Sequence, residues 1–310
     1  MSISKNQQRH ELQQAYKKGV VPELVIPGWN KEKELFYYQK TGVAWLYVTP
    51  RALLADSTGT GKTAHGLALL QRLKTKGQLG PAKRAIVICP SKSVLGSWKK
   101  DGFDDFVPDM KVAVAGGATK KVREEIYADP TWEVLLINYE LVLRDLPHLL
   151  ALDFQYALLD EVHYVRNHET QTAMAVKKIT IPCKRVIGMT ATPIQNHLLD
   201  LHGILEVLGL GYIFGAKEVF AMRHHEYRLV NVRYNGITAP TKKLVGLKNT
   251  KVLKTMIEPY YMRRRYTDIK IPLPSLKSQQ IWLDLSPKQQ KLYDDIKAKE
   301  VKKLGPDAHI

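Results

Sequence analysis

Cysteine is nearly absent from this chain of 310 residues, which holds only Cys89 and Cys183. Two cysteines cannot staple a disulfide scaffold, and Cys89 falls in an apolar run that reads as a buried strand, so a reducing cytosol is expected. Long hydrophobic runs are missing too, and nothing approaches the ~20 apolar residues that a membrane span needs. The start, Met1 to Gln8, is polar and lacks the apolar core of a secretory leader. Acidic residues are scarce beside basic ones, 30 against 47, which leaves a formal net charge of +17. That excess is unusual for an enzyme of small metabolites and points to a polyanionic partner, nucleic acid first. An acidic membrane surface fits less well, because no basic amphipathic helix with an aromatic face is present.

What is present supports a globular chain, with 45% hydrophobic residues to build a core. Short apolar runs at Leu53-Ala55, Ala85-Cys89, Lys111-Val114, Val134-Ile137, Ala157-Leu159 and Arg185-Met189 alternate with helical spacing. This order predicts an α/β fold, a mainly parallel sheet covered by helices on both faces. After the first run comes Thr58-Gly59-Thr60-Gly61-Lys62-Thr63-Ala64, which reads as a phosphate-cradling loop. Glycine lets the backbone curl around phosphate oxygens, and a helix starting near Lys62 aims its amides at them. Lys62 can reach the β and γ phosphates, and the Thr63 hydroxyl can ligate Mg2+. The strict phosphate-loop pattern fails at its first glycine, where Asp56 stands.

A second strand end carries Leu159-Asp160-Glu161-Val162-His163. A lone Asp-Glu pair reads more readily as a helix cap, but a phosphate loop upstream changes that reading. Asp160 would then hold Mg2+ through water, and Glu161 would orient or deprotonate the water that attacks the γ phosphate. Catalysis is thus assigned to Lys62, Asp160 and Glu161, with ATP and Mg2+ as cofactors. Met189-Thr190-Ala191-Thr192-Pro193 completes the outline of an ATP-driven motor.

With these motifs in this order, the chain resembles the first RecA-like lobe of a sucrose-non-fermenting-type (SNF-type) ATPase, a superfamily-two helicase and DNA translocase family. The resemblance runs from about Leu35 to Tyr293. It covers Leu35-Phe36-Tyr37-Tyr38-Gln39, Ile86-Val87-Ile88-Cys89-Pro90-Ser91 and Leu135-Leu136-Ile137-Asn138-Tyr139. It continues through Met189-Thr190-Ala191-Thr192-Pro193-Ile194-Gln195-Asn196, Met262-Arg263-Arg264-Arg265 and Leu285-Ser286-Pro287. The family also tolerates a residue other than glycine at Asp56. The resemblance implies adenine recognition by Gln39, and coupling of nucleotide to motion through His163, Thr190, Thr192 and Gln195. It implies phosphate-directed nucleic-acid contacts near Ser91, Lys92, Trp98, Asn138 and Tyr139, although a lone helical tryptophan suits core packing as well. Phe36 and Tyr37 stand where an Arg-Pro pair is common, and Tyr266 replaces a lysine.

The implied partner is double-stranded DNA, RNA less so, together with a second RecA-like lobe that nothing after Tyr293 supplies. A truncated chain is expected, or less readily half of a split motor, and its isolated turnover is expected to be nearly nil. The domain plan is 1–34 as an N-terminal extension, 35–208 as the ATP-binding lobe, 209–258 as a helical insertion, and 259–310 as linker and helix. A small hairpin around Asn235-Gly236 is also indicated. A strand-separating DNA or RNA helicase, or a nucleotide-dependent docking module without motor action, stays open. The cytoplasm or nucleoid of a bacterial or phage system is expected, or a nucleus if the source is eukaryotic.

Overall fold

The six apolar runs form the strands their patterning predicts. In this computed structural model, which describes residues 7–12, 23–234, 237–269 and 279–304, they are β1 (Arg51–Leu54), β2 (Ala85–Cys89), β3 (Val112–Val114), β4 (Val134–Asn138), β5 (Tyr156–Asp160) and β6 (Arg185–Met189). Three more follow: β7 (His225–Tyr234), β8 (Ile237–Leu247) and β9 (Tyr261–Met262). The main sheet runs β3-β4-β2-β5-β6-β1-β9, and every pairing in it is parallel. The expected helix before Gly19 is helical over residues 7–12 and otherwise lies outside the described residues, as do the turn at Asn235-Gly236 and the end at Gly305-Pro306.

Alternation along each strand explains why both faces are covered. Ile86 and Ile88 of β2, Leu135 and Ile137 of β4, and Ala157 and Leu159 of β5 point into one core. Helices Tyr139–Arg144, Gln171–Thr180 and Leu198–Val207 close that core. Val87, Leu136 and Leu158 point the other way, into a second core under helices Tyr37–Val48 and Lys62–Thr75. A sheet buried on both sides is the setting in which parallel strands are stable. Cys89 and Cys183 are both free and buried in it. Burial pushes the Cys183 thiol up to about 12, so it stays protonated at neutral pH.

The chain visits β1, crosses over β6 and β5 to reach β2, and fills the far side before returning to β5 and β6. The carboxyl ends of β1, β6 and β5 therefore lie side by side, and such edges are where open α/β sheets bind ligands. Thr190 N–H donates to Leu54 O at 3.1 Å, which ties the end of β6 to the end of β1.

The segment after β6 is not helical alone. Helices Lys217–His224 and Thr250–Ile257 flank a hairpin in which β7 and β8 pair antiparallel from His225 to Leu247. β-branched residues recur along it and Asn-Gly separates its strands, which favours a ribbon over a helix. Met1–Lys270 forms one compact unit and Ile271–Ile310 a second. Within the first, Leu24, Ile26 and Trp29 pack with Leu35, Val43 and Ala68. In the second, helix Pro287–Leu304 exposes Leu292, Tyr293 and Ile296. No helix among the described residues is long and apolar enough to cross a membrane.

A buried charge cluster braces the β4 side. Arg123 Nη2 donates to Asp145 Oδ1 at 3.1 Å and the Tyr127 hydroxyl donates to Asp145 Oδ2 at 2.7 Å. Burial acts to raise the Asp145 carboxyl, but these two donors outweigh it and hold it below its usual 3.8. A depressed carboxyl contributes stability that is full above the unfolded value and is lost as pH falls through the folded one. Asp145→Asn is therefore expected to cost about 2 kcal/mol at pH 7. Urea unfolding of both proteins at pH 7 and pH 3 checks this, with the gap narrowing at the lower pH.

Candidate active site

The turn after β1 is shaped by two left-handed glycines, Gly59 at φ 73° and Gly61 at φ 75°. Gly61 caps helix Lys62–Thr75, so the helix N-terminus opens directly onto the turn. The amide N–H groups from Gly59 to Ala64 make no hydrogen bond to another described residue. A run of open amides at a helix N-terminus suits a polyphosphate. Lys62 is 9% exposed, and its ammonium donates to the carbonyls of Asp56 at 3.1 Å and Ser57 at 3.2 Å. The Lys62 cation thus lies over the loop rather than out in solvent.

Helix Tyr37–Val48 holds the turn from outside. The Tyr38 hydroxyl donates to Thr60 O at 2.9 Å and Gln39 Nε2 donates to the same oxygen at 3.2 Å. Gln39 Oε1 also accepts from Phe36 N–H at 2.9 Å, so both ends of the Gln39 amide already bond within the chain. Gln39 is buried beside the loop, while Phe36 is exposed and stacks on Tyr38.

At the end of β5, Asp160 and Glu161 sit in opposite environments. Asp160 is raised by burial, against donation from Trp98 Nε1 at 2.8 Å and from the Glu161 amide at 3.1 Å. Glu161 is lowered, first by His163, whose Nδ1 lies 3.1 Å from Oε2, and further by the Thr190 hydroxyl, which donates to Oε2 at 3.1 Å. The Lys62 charge favours ionisation of both carboxyls. Glu161 is also one of the few non-glycine residues with positive φ, at 45°. That backbone is uncommon for a side chain with a Cβ, and it occurs at the residue proposed to act on water.

The residues expected to couple nucleotide to motion form one connected path. His163 Nδ1 lies 3.0 Å from Thr190 Oγ1, which also accepts from the Thr192 amide at 3.1 Å. Gln195 Nε2 donates to Thr192 Oγ1 at 3.4 Å. Asp200 Oδ2 accepts from the amides of Gln195, Asn196 and His197, fixing the turn that carries Gln195. Among the described residues no group of three or more His, Cys, Asp or Glu could hold a metal. Mg2+ needs no such group, because it keeps waters and takes few protein ligands besides substrate phosphates. The half-buried Thr63 hydroxyl and Asp160 have the right hard-oxygen chemistry.

Two expected nucleic-acid contacts need correction. Trp98 and Tyr139 are each 1% exposed, so neither offers a surface to a polymer. Trp98 supports the Asp160 carboxylate, and the Tyr139 hydroxyl donates to Asp160 O at 2.9 Å. Their apolar rings fill the core while their polar tips brace the carboxyl end of β5. Ser91 and Lys92 are exposed at the end of β2, where Ser91 caps the short helix Lys92–Ser97. Asn138 ends β4 with 5% exposure, and its Oδ1 has no partner among the described residues.

Sequence reasoning missed Asp56, Arg264, His65 and Tyr266. Asp56 was visible as a departure from the glycine pattern, and the arginine run as a basic cluster. Nothing local said that they meet.

A family profile described as the SNF2-related domain matches residues 38–308. The chain belongs to this family. It is 28% identical over 277 residues to the TATA-binding protein-associated factor MOT1 of Saccharomyces cerevisiae, covering 85% of this chain and 14% of that protein. It is 29% identical over 268 residues to the DNA repair and recombination protein RAD54B of Gallus gallus, covering 83% and 28%. With the human DNA excision repair protein ERCC-6 it shares 28% over 302 residues, covering 90% and 19%. The chain thus spans less than a third of the length of these relatives. Among solved structures it matches a Sulfolobus solfataricus SWI2/SNF2 ATPase core in complex with dsDNA. The TM-score is 0.62 at 24% identity, over 93% of this chain and 57% of that one, a likeness of fold. RecA-like architecture and membership of the SNF2-related family are therefore properties of this chain.

Within an SNF2 lobe, Lys62 is expected to carry the phosphate-dependent part of nucleotide affinity. Lys62→Ala should weaken binding of Mg-ATP at least about tenfold, since hydrogen bonds to charged groups contribute ~1.5–3 kcal/mol. Calorimetric titration of both proteins checks this, and equal affinities would remove Lys62 from the site.

Proposed function

We propose that this chain is the ATP-binding motor lobe of a DNA-dependent ATPase that translocates on double-stranded DNA, hydrolysing ATP when a second RecA-like lobe completes the site. Residues 35–208 form the nucleotide lobe in this reading, with 209–258 as a protrusion and 259–310 leading toward the second lobe. The observation that carries it is the unbroken path from Glu161 through His163, Thr190 and Thr192 to Gln195. A docking module has no use for a carboxylate wired to the next strand's exit loop.

The chemistry follows from the side chains. Glu161, held ionised, accepts a proton from the water whose oxygen attacks the γ phosphorus. The bond from that phosphorus to the β–γ bridging oxygen breaks, leaving ADP and inorganic phosphate. Lys62 offsets the charge that gathers on the β and γ oxygens. Mg2+, held by Thr63 and Asp160, would add further charge neutralisation at those oxygens. Loss of the γ phosphate changes what Glu161 faces, and the Thr190–Thr192–Gln195 path gives that change a route to the lobe surface.

Duplex DNA is the favoured partner because contacts to phosphates let a motor step along any sequence. Ser91 and Lys92, exposed at the carboxyl end of β2, remain contact candidates, whereas Asn138 is buried at the end of β4. The β7–β8 hairpin adds a second cationic element. Arg228 and Lys243 are directly opposite each other in its register and both are exposed. Like charges directly opposite destabilise a ribbon, so an anionic partner relieves a cost that the free hairpin bears. A strand-separating helicase stays the alternative, distinguished by its product.

Replacing Arg228 and Lys243 together with alanine should reduce the slope of log affinity against log salt for duplex DNA by about 1.8. Fluorescence anisotropy across a salt series reads it, and an unchanged slope rejects the hairpin contact. Turnover makes a separate test. The 310-residue chain alone should hydrolyse ATP only marginally even with DNA, because arginines of a second lobe are worth about 10³–10⁵ in rate. In a protein completed by that lobe, Glu161→Gln should keep nucleotide binding and remove turnover; activity within a few-fold of the parent would dismiss Glu161 as the base.

A further inference from the structure

The first glycine of the phosphate-loop pattern is replaced by Asp56, and the structure gives that replacement a purpose. Asp56 is fully buried and Arg264, more than two hundred residues later in the chain, is 1% exposed. Arg264 Nε lies 3.0 Å from both Asp56 oxygens, Nη2 also donates to Oδ2, and the Arg264 amide donates to Oδ1 at 2.9 Å. The pair is not isolated. Arg264 Nη1 donates to Tyr38 O, Nη2 lies 2.9 Å from His65 Nε2, and His65 Nδ1 lies 2.9 Å from Gly61 O. Since Arg264 can only donate, His65 Nε2 accepts and Nδ1–H donates to Gly61.

The backbone around Arg264 runs along the loop as a strap. Ala55 N–H donates to Met262 O at 2.7 Å and Ser57 N–H donates to Arg264 O at 3.0 Å, so β9 continues past the end of β1 into the phosphate loop. The Tyr266 hydroxyl then donates to Thr58 O at the loop's apex. Space is tight throughout. A Cβ on Gly42 would come within 2.5 Å of His65 and 2.8 Å of Arg264 Nη2. One ordinary explanation competes. A buried ion pair can be a stability element only, and such pairs often contribute little beyond their own desolvation. Here, however, the bonds of the network end on Ala55, Asp56, Ser57, Thr58, Gly61 or the helix that pins Thr60, all of them in or against the loop.

We infer that Arg264 and Tyr266 are positioning residues for the phosphate loop, and that through them nucleotide binding and the segment after β9 are coupled. This deepens the ATP-lobe reading and rests on it. Arg264 fixes the entry of the loop through Asp56 and its exit through His65 and Gly61, while Tyr266 fixes the apex. Coupling of this kind is reciprocal: ATP that orders the loop also orders the strap, and freedom in the strap weakens ATP binding. A lysine cannot replace Arg264, because a point charge cannot fill a fork that serves Asp56, Tyr38 and His65 together.

The test uses the 310-residue chain and Mg-ATP binding, with a matched control in the distant Arg123–Asp145 pair. Arg264→Lys should weaken Mg-ATP binding about tenfold. Tyr266→Phe, which removes one hydroxyl from an exposed ring and leaves the core intact, should weaken it about threefold. Arg123→Lys should lower the melting temperature without changing affinity. Hydrogen exchange supplies a second readout: Mg-ATP should slow exchange at the Ser57 amide in the parent chain, and less so in Arg264→Lys. Affinities of both variants within twofold of the parent would overturn the inference, as would an Arg123→Lys effect as large as theirs. Absence of Mg-ATP binding by the parent chain would instead overturn the ATP-lobe reading, so the two failures are told apart.

Discussion

A phosphate loop must hold two left-handed residues in place and still leave its amides open, and the carboxyl edge of this sheet is organised around that demand. Backbone that bonds to nothing on one face has to be fixed from the other. Here the fixing comes from three directions: Tyr38 and Gln39 on Thr60, Arg264 on Asp56 and through His65 on Gly61, and Tyr266 on Thr58. Lys62 can then lie over the loop as a cation near two carboxylates, because the backbone beneath it is held by other groups. The desolvation of Asp56 and Arg264 is tolerable because the guanidinium finds acceptors in Asp56, Tyr38 and His65.

The elements that the sequence showed clearly were those with a period. Runs such as Ala85–Cys89 and Val134–Asn138 are long enough for side-chain alternation to fill two cores, and they were found nearly residue for residue. β9 was invisible because two residues, Tyr261 and Met262, carry no period at all. The hairpin was foreseen but not in its length, since residues 226–229 and 243–245 are exposed and leave no buried face there to mark its limits.

The candidate site divides along the same line. Lys62, Thr63, Asp160 and Glu161 belong to short motifs whose chemistry fixes the residue types, so they were legible one string at a time. The Glu161–His163–Thr190 contact was reached only by resemblance, and the structure supplies its geometry. Trp98 and Tyr139 were misplaced for a physical reason. Tyr139 lies just past the end of β4 and Trp98 at the end of the short helix Lys92–Ser97, where exposure is the usual expectation, yet each turns its ring inward and uses its polar tip on Asp160. The Asp56–Arg264 pair was the least legible, because a pairing across most of the chain leaves no local signal in either segment.

Asp160 and Glu161 are neighbours in sequence and identical in charge, so only their surroundings can give them different work. Burial raises Asp160 and surrounds it with donors that orient it without adding positive charge, apart from Lys62. Such a group is well placed to be stabilised by a divalent cation. Glu161 is instead turned out of line by its positive φ and meets His163 and Thr190, which lower it. A carboxylate held ionised by a partner on the next strand can take up a proton only by weakening that partnership. If Glu161 is the base, as proposed, proton uptake there would loosen its bonds to His163 and Thr190, and the chemical step and the structural signal would become one event.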